Sequence, residues 1–438
     1  MITKEKTICE NVGRTATGEL TLGGVGILSL AKKYGTPLYL YDEDRIRARC
    51  REYISAARAA FGEDAILLYA SKAASFGRIY RIVKEEGFGI DVVSSGEIFA
   101  AQRVGFPLEN SYFHSNNKTD ADIEFAMENG VGQFVVDCPE ELYSIDRIAG
   151  ERGIKQRVLL RITPGIDPHT YAAVATGKVD SKFGSAIETG QAYDITELAL
   201  SLPNVELYGF HSHIGSQVFD ADVYLKAAEV MLGFVAEVKA RFGYSTAVLD
   251  IGGGLGVRYV RDHPELDIRS VLLSVGAFMR GRALELGISL PRIALEPGRS
   301  IVADAGMTVY TVGSVKRIPG YKAYVSVDGG MTDNPRYALY GSPYTLLRAT
   351  ESEGIDDEIF SVVGRCCESG DILQENVPLP ADIKRGDILA CLTTGAYNYA
   401  MSSNYNRIPR PPIVMISGGE DYLAVRRETF ADLCECEV

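Results

Sequence analysis

Apolar positions along this chain follow two rhythms, and the change between them divides it. From about residue 42 to 304, short apolar runs alternate with stretches whose apolar residues recur at helical spacing. The runs end near Tyr69, Val93, His114, Asp137, Ile162, His211, Ile251 and Glu296. A helical stretch from Asp42 to Phe61 precedes the first. Others, such as Gly77–Glu86, Ala121–Asn129, Glu140–Arg152 and Ala221–Arg241, separate the runs. Buried strands alternating with helices predict parallel βαβ units. Eight such strands predict an α/β fold closed as a (β/α)8 TIM-type barrel rather than an open sheet. Beyond residue 305 the runs become β-branched and are punctuated by Gly, Pro and Asn: Thr308–Val315, Tyr321–Val327, Glu358–Val363, Asp387–Leu392 and Ile413–Ile416. That pattern predicts a second, mostly antiparallel β domain. The first 45 residues hold a glycine turn (Leu22-Gly-Gly-Val-Gly26) and a β-like run, Pro37 to Tyr41. They do not begin the barrel repeat, so they are assigned to the β domain. The expected division is 1–45, 46–304 and 305–438.

Composition narrows the class. A chain of 438 residues is long for one domain, and 46% hydrophobic content fits a soluble protein. The net charge of −13, with no basic run, argues against nucleic-acid binding. No apolar run is long enough to span a membrane, and the first residues lack the apolar core of a signal peptide. The eight cysteines form no pair of C-x-x-C motifs, so neither a structural zinc site nor a disulfide framework is supported. A cytoplasmic location and no metal are expected.

In such a barrel, functional groups collect at the C-terminal ends of the strands. Those ends carry Lys72, Asp91, His114 with Asn116 and Asn117, Arg161, His213, Gly252-Gly-Gly254, and Glu296 with Arg299. A lysine there is either a solvated surface residue or an amine that forms a Schiff base with a carbonyl cofactor. The glycine run is either a tight turn or backbone through which N–H groups approach a phosphate, and it follows the seventh strand, where such barrels bind phosphate. It does not complete a dinucleotide-binding pattern. Glu296 is either half of an ion pair with Arg299 or a carboxylate that keeps a pyridine nitrogen protonated. His213 is either a core histidine or a ring lying flat on that pyridine. Read together, the functional alternatives spell pyridoxal 5′-phosphate.

Four motifs make the pattern specific: Tyr69-Ala-Ser-Lys-Ala73, His213-Ile-Gly-Ser-Gln217, Asp250-Ile-Gly-Gly-Gly254 and Glu296-Pro-Gly-Arg299. The chain resembles the alanine-racemase-like, fold-type III pyridoxal-phosphate decarboxylases, and among them the diaminopimelate decarboxylase family. Supporting stretches are Phe113–Lys118, Arg161–Asp167, Thr176–Gly184, Arg336–Tyr340, Cys367–Asp371 and Gly395–Tyr397, so the resemblance runs from about residue 35 to 412. It implies a carboxy-lyase that converts meso-2,6-diaminopimelate to L-lysine and carbon dioxide. It also implies that Lys72 holds the cofactor, while His213, Ser216, Gly253, Gly254, Glu296, Pro297, Gly298, Arg299 and Tyr397 bind it. Arg299, Arg336, Tyr340, Glu368 and Tyr397 would grip the substrate. Cys367 would be an acid supplied by the partner subunit of a head-to-tail homodimer. The charges suit a substrate with two amino-acid ends, since Arg336 matches a distal carboxylate and Glu368 a distal ammonium.

Two stretches depart from the family pattern. Gly364-Arg365-Cys366-Cys367 replaces the usual Gly-Pro-x-Cys, bringing a charge and a second thiol beside Cys367. After Lys72, Ala-Ala-Ser-Phe replaces the more usual Ala-Asn. The competing readings are a decarboxylase of ornithine, arginine or carboxynorspermidine, an amino-acid racemase on the same fold, and a pyridoxal-phosphate carrier without activity.

Overall fold

In a computed structural model, residues 8–166, 180–351 and 355–438 are described. The end of the Arg161–Asp167 motif and the start of the Thr176–Gly184 motif lie outside them. The chain divides into two compact units. One comprises Arg49–Gly256 and Leu266–Ser300; the other comprises the chain up to Ala48, Val257–Glu265 and Ile301–Val438.

The first unit is the barrel. Its strands are β1 (Ile66–Ala70), β2 (Gly89–Val92), β3 (Ser111–Phe113), β4 (Gln133–Val136), β5 (Gln156–Thr163), β6 (Val205–His211), β7 (Val248–Asp250) and β8 (Arg292–Leu295). Each pairs in parallel with the next, and Ala294 and Leu295 of β8 pair with Ile66 and Leu67 of β1, which closes the ring. Closure leaves the ring no unpaired edge. A short strand, Ser185–Ala186, adds to β5 outside the ring. Alternate residues point inward, and Leu68, Tyr112, Val135, Leu159, Val248 and Ala294 form one buried cluster. Leu68 is 1% exposed, so truncation to alanine there costs about 2–5 kcal/mol.

The helices carry their own start signals. Thr119 and Asp122 form a reciprocal capping box for Asp120–Glu128. Pro139 opens Pro139–Glu151 at a position where its missing N–H costs nothing. Asp267 caps Ile268–Glu285.

The second unit is built on a mixed, mostly antiparallel sheet. Its long strand Gly306–Arg317 pairs antiparallel with Leu38–Asp42, Ala323–Val327 and Ile388–Leu392. The N-terminal run therefore does join this sheet, pairing also in parallel with Ile413–Ser417. Leu38, Leu40, Met307, Val309, Leu392 and Ile416 share one apolar core with Val12, Leu20 and Leu22 of a small N-terminal sheet.

Candidate active site

The ends of the barrel strands bring five polar side chains into one network. Lys72 sits in a short 3-10 turn, Ser71–Ala73, directly after β1. Its Nζ lies 2.6 Å from Oδ2 of Asp91, a fully buried carboxylate in β2. Oδ1 of Asp91 lies 3.8 Å from Nε2 of His114, the residue after β3. That same Nε2 is 2.6 Å from Oε1 of Glu296, just past β8, although the two atoms lack hydrogen-bond alignment. The second carboxylate oxygen of Glu296 meets Nε2 of His211, the last residue of β6, at 3.2 Å. The two imidazoles pack edge to face with centroids 4.8 Å apart.

Burial dominates the electrostatics. It lowers the His211 pKa to about 4, so that ring is neutral at neutral pH. His213 is likewise held well below its ordinary value, by burial and then by the nearby charges of Lys72 and Arg161. Asp250, at the end of β7, is pushed well above the usual carboxylate range by burial and by Glu296. Burial also pushes Glu296 upward, but its electrostatic and hydrogen-bonding contacts with the His114 and His211 imidazoles more than offset it and hold it well below the usual carboxylate range. Glu296 thus stays charged between two imidazoles, while Asp91 of the same network faces Lys72.

The glycine run fits its surroundings closely. A Cβ on Gly253 would lie 2.2 Å from the Glu296 carbonyl oxygen, and one on Gly254 would lie 2.1 Å from that of Gly215. Gly254 also has φ +103°, a conformation that favours glycine. Gly298 approaches Ala70, with a Cβ contact of 2.8 Å. Ser216 Oγ accepts from Arg299 Nε at 3.1 Å and Nη2 at 2.9 Å, which ties the loop after β6 to the loop after β8. Tyr224, which no spacing in the sequence marks, donates to the Gly253 carbonyl at 3.2 Å.

These residues fit a pyridoxal phosphate. Glu296 is a buried carboxylate whose Oε1, though close to His114, accepts no aligned hydrogen bond among the described residues, which suits a pyridinium N–H. Gly253 and Gly254 form a cradle that a Cβ would fill, and Ser216 and Arg299 supply donors beside it. Ligand atoms of His114, His211 and Glu296 also lie within 4.8 Å of one another, a spacing open to a metal ion. Ligands of one tetrahedral zinc stand roughly 3.3 Å apart, so the 2.6 Å contact is too short for two ligands of one ion.

The other expected residues lie in the second unit. Arg336 opens the short helix Arg336–Tyr340 and is buried. It donates to Tyr344 Oη at 2.7 Å and Ser342 Oγ at 3.3 Å, with its guanidinium 4.9 Å from the Tyr259 ring centre. Among the described residues these contacts engage two of five N–H donors. Tyr340 ends the same helix. Tyr397 has φ +62°, a left-handed conformation that is rare for a bulky residue and concentrates at functional sites. Cys367 is exposed, and its backbone N–H is held by Asn406 Oδ1 at 2.7 Å. Glu368 is fully solvated, accepting from Ser369 and Gly370. Tyr259, Tyr344 and Asn406 escape sequence reasoning because they come from separate segments that share no motif.

Comparison with known proteins points the same way. Residues 44–303 match the model for "Pyridoxal-dependent decarboxylase, pyridoxal binding domain". The diaminopimelate decarboxylase of Bacillus subtilis (strain 168) is 43% identical over 96% of this chain and 95% of its own. That of Mycobacterium tuberculosis (strain ATCC 25618 / H37Rv) is 38% identical over 98% and 97%. Among solved structures, diaminopimelate decarboxylase from M. jannaschii in complex with L-lysine superposes with a TM-score of 0.90 at 32% identity, covering 98% of each chain. The lysine/ornithine decarboxylase of Vibrio vulnificus with putrescine gives 0.75 at 25% identity, covering 89% of this chain and 97% of that one.

Proposed function

We infer that this chain, which belongs to the pyridoxal-dependent decarboxylases and within them to the diaminopimelate decarboxylase family, releases carbon dioxide from meso-2,6-diaminopimelate and leaves L-lysine, the last step of lysine biosynthesis. The observation that carries this reading is 43% identity to the Bacillus subtilis protein across 96% of the chain, second domain included. Pyridoxal 5′-phosphate, when bound, supplies a protonated ring that accepts the electron pair left by departing carbon dioxide.

The chain's own residues do the rest. Lys72, oriented by Asp91, is the amine that holds the cofactor. Glu296 keeps the ring nitrogen protonated, and a buried anion flanked by His114 and His211 suits that task. His213, neutral through burial, lies against the ring. Gly253, Gly254, Ser216 and the segment Glu296-Pro297-Gly298-Arg299 take the phosphate and ring, with Tyr397 also at the cofactor. Arg336 binds the distal carboxylate with Arg299, Tyr340 and Tyr397, and Glu368 binds the distal ammonium. Cys367, donated by the partner subunit of a cytoplasmic head-to-tail homodimer, moves a proton near the reacting carbon.

A decarboxylase of ornithine would need the anion alone, so a buried guanidinium with donors to spare favours the dicarboxylate substrate. The test is product analysis. Purified protein with pyridoxal phosphate and meso-diaminopimelate should give lysine and carbon dioxide in equal amounts. Carbon dioxide from ornithine but not from diaminopimelate would establish the rival decarboxylase, and epimerisation without carbon dioxide would establish a racemase.

A further inference from the structure

Arg336 is a buried charge without a counter-charge. It is 4% exposed, and among the described residues no carboxylate pairs with it. Its hydrogen bonds go instead to two neutral hydroxyls, Tyr344 Oη at 2.7 Å and Ser342 Oγ at 3.3 Å. Arg45 and Arg348, nearly as enclosed in the same unit, each hold a carboxylate: Asp304 at 2.7 Å and Asp387 at 3.1 Å. A buried cation is costly unless something offsets it. The hydroxyl dipoles and the Tyr259 ring, 4.9 Å from the guanidinium carbon, offset part of that cost. They leave the charge itself unneutralised.

A sharp turn brings Tyr344 back to Arg336. The helix Arg336–Tyr340 stops at Gly341, whose left-handed φ of +63° lets its N–H close on Tyr337 O at 2.8 Å. Tyr344 is buried and held at three points. Its N–H donates to Gln374 Oε1 at 2.9 Å, and its ring packs edge-on against Tyr259 with centroids 5.4 Å apart. Its hydroxyl meets Asn398 Oδ1 at 3.1 Å. A guanidinium can only donate, so Tyr344 Oη accepts from Arg336 and gives its one proton to Asn398. Asn398 is itself fully buried and directly follows Tyr397. The hydroxyl therefore has one arrangement, and it fixes the guanidinium nitrogen that it receives.

We propose that Tyr344, seconded by Ser342, is a positioning residue for substrate choice, which orients the Arg336 guanidinium toward the distal carboxylate without neutralising it. The inference rests on the proposed assignment of Arg336 to that carboxylate. An acidic side chain in place of Tyr344 would orient the guanidinium equally well. It would also cancel the charge and compete with the substrate. A hydroxyl orients and does not compete, and the remaining N–H groups of Arg336 are left for the carboxylate.

Two competitive inhibitors that differ by one carboxylate test this on the pyridoxal-phosphate-loaded enzyme. Lysine, bound as product, keeps the carboxylate that diaminopimelate does not lose; cadaverine is the same chain without it. The parent should bind lysine more tightly than cadaverine, and Arg336→Ala should abolish that preference. Tyr344→Phe keeps the ring and removes the hydroxyl. It should raise KM for diaminopimelate and Ki for lysine together, roughly five- to thirtyfold, with kcat and Ki for cadaverine within about twofold of the parent. Ser342→Ala, which loses the longer contact, should move the same two constants the same way by roughly twofold or more, and it decides the matter should Tyr344→Phe not fold. If Arg336→Ala abolishes the preference while both hydroxyl variants keep it in full, the inference fails and the role of Arg336 stands. If Arg336→Ala keeps the preference, Arg336 does not meet the carboxylate and both fall. Equal weakening of lysine and cadaverine in Tyr344→Phe, with a lowered melting temperature, would assign the tyrosine to the fold and overturn the inference.

Discussion

At the scale of single residues, charge placement decides most. Glu296 is the one buried carboxylate of its cluster held below the usual range, while Asp250 nearby is pushed above it. Such divergence between neighbouring acids marks a site where one must stay charged. Replacing Glu296 by glutamine keeps the shape and removes the charge. Turnover should fall on the order of a hundredfold or more, with cofactor still bound and KM little changed. Steady-state kinetics beside an absorbance spectrum measures both, and near-normal turnover would take Glu296 out of this role. Arg336 makes a different prediction. It is buried against Tyr344 and Tyr259, so its removal has a structural cost as well as a functional one, and the comparison must be internal. Arg336→Ala should raise KM for diaminopimelate roughly ten- to a hundredfold, the loss of about 1.5–3 kcal/mol from a desolvated charge-assisted bond. Residual activity on lysine, which has no distal carboxylate, should hardly change. Glu368→Ala should weaken both, since both substrates carry a distal ammonium. Equal penalties from Arg336→Ala would show that the arginine serves the fold.

At the scale of elements, the junctions between strands and their following loops do the positioning. Gly253 lies where β7 ends against β8, with space for a hydrogen and none for a methyl. Gly253→Ala should displace the Glu296 carbonyl and weaken cofactor binding at least about tenfold, read by titration of the absorbance. Gly87→Ala, at φ +87° with nothing within 4 Å, should cost stability and leave cofactor binding unchanged. The junction after β2 carries a pH signal. Glu97 Oε2 accepts from Val93 N at 2.7 Å, and burial pushes its carboxyl up to about 7 from 4.5. Between those values the folded chain keeps a proton that the unfolded chain releases. The contribution is full below about pH 4.5 and is lost as the pH rises through about 7, at most about 3 kcal/mol. Glu97→Gln should flatten the fall of the urea midpoint over that window; an unchanged fall would place the titration elsewhere. These junctions also divide what could be read from the chain. The eight strands and their order were legible because each is a short apolar run, and the strand-end residues followed from the barrel rule. Strands Ile372–Pro380 and Glu420–Val425 were not, since prolines interrupt one and the other opens on two adjacent acids. The contacts of Glu296 with His114 and His211 were equally hidden, because closing the ring joins residues that no local spacing relates.

At the scale of the molecule, the residues proposed for the chemistry are divided between two folded units. Lys72, Glu296 and the glycine cradle belong to the barrel, whereas Arg336, Cys367, Glu368 and Tyr397 belong to the β domain. Under the proposed roles the barrel binds the cofactor and the second domain selects the substrate, and similarity to the Bacillus subtilis protein does span 96% of the chain rather than the barrel alone. In the proposed head-to-tail dimer, each active site takes its barrel from one chain and Cys367 from the other. Two-fold symmetry then repeats the arrangement. Chains carrying Lys72→Ala and chains carrying Cys367→Ala should each be inactive alone. In a mixed dimer, one site joins the intact lysine of one chain to the intact cysteine of its partner, and the other site lacks both. After equal mixing and full exchange, half the dimers are mixed and each has one good site, so activity should return to roughly a quarter of the parent's. Native mass spectrometry confirms the exchange independently of activity. Mixed dimers that form without recovering activity would place the lysine and the cysteine of each site on the same chain.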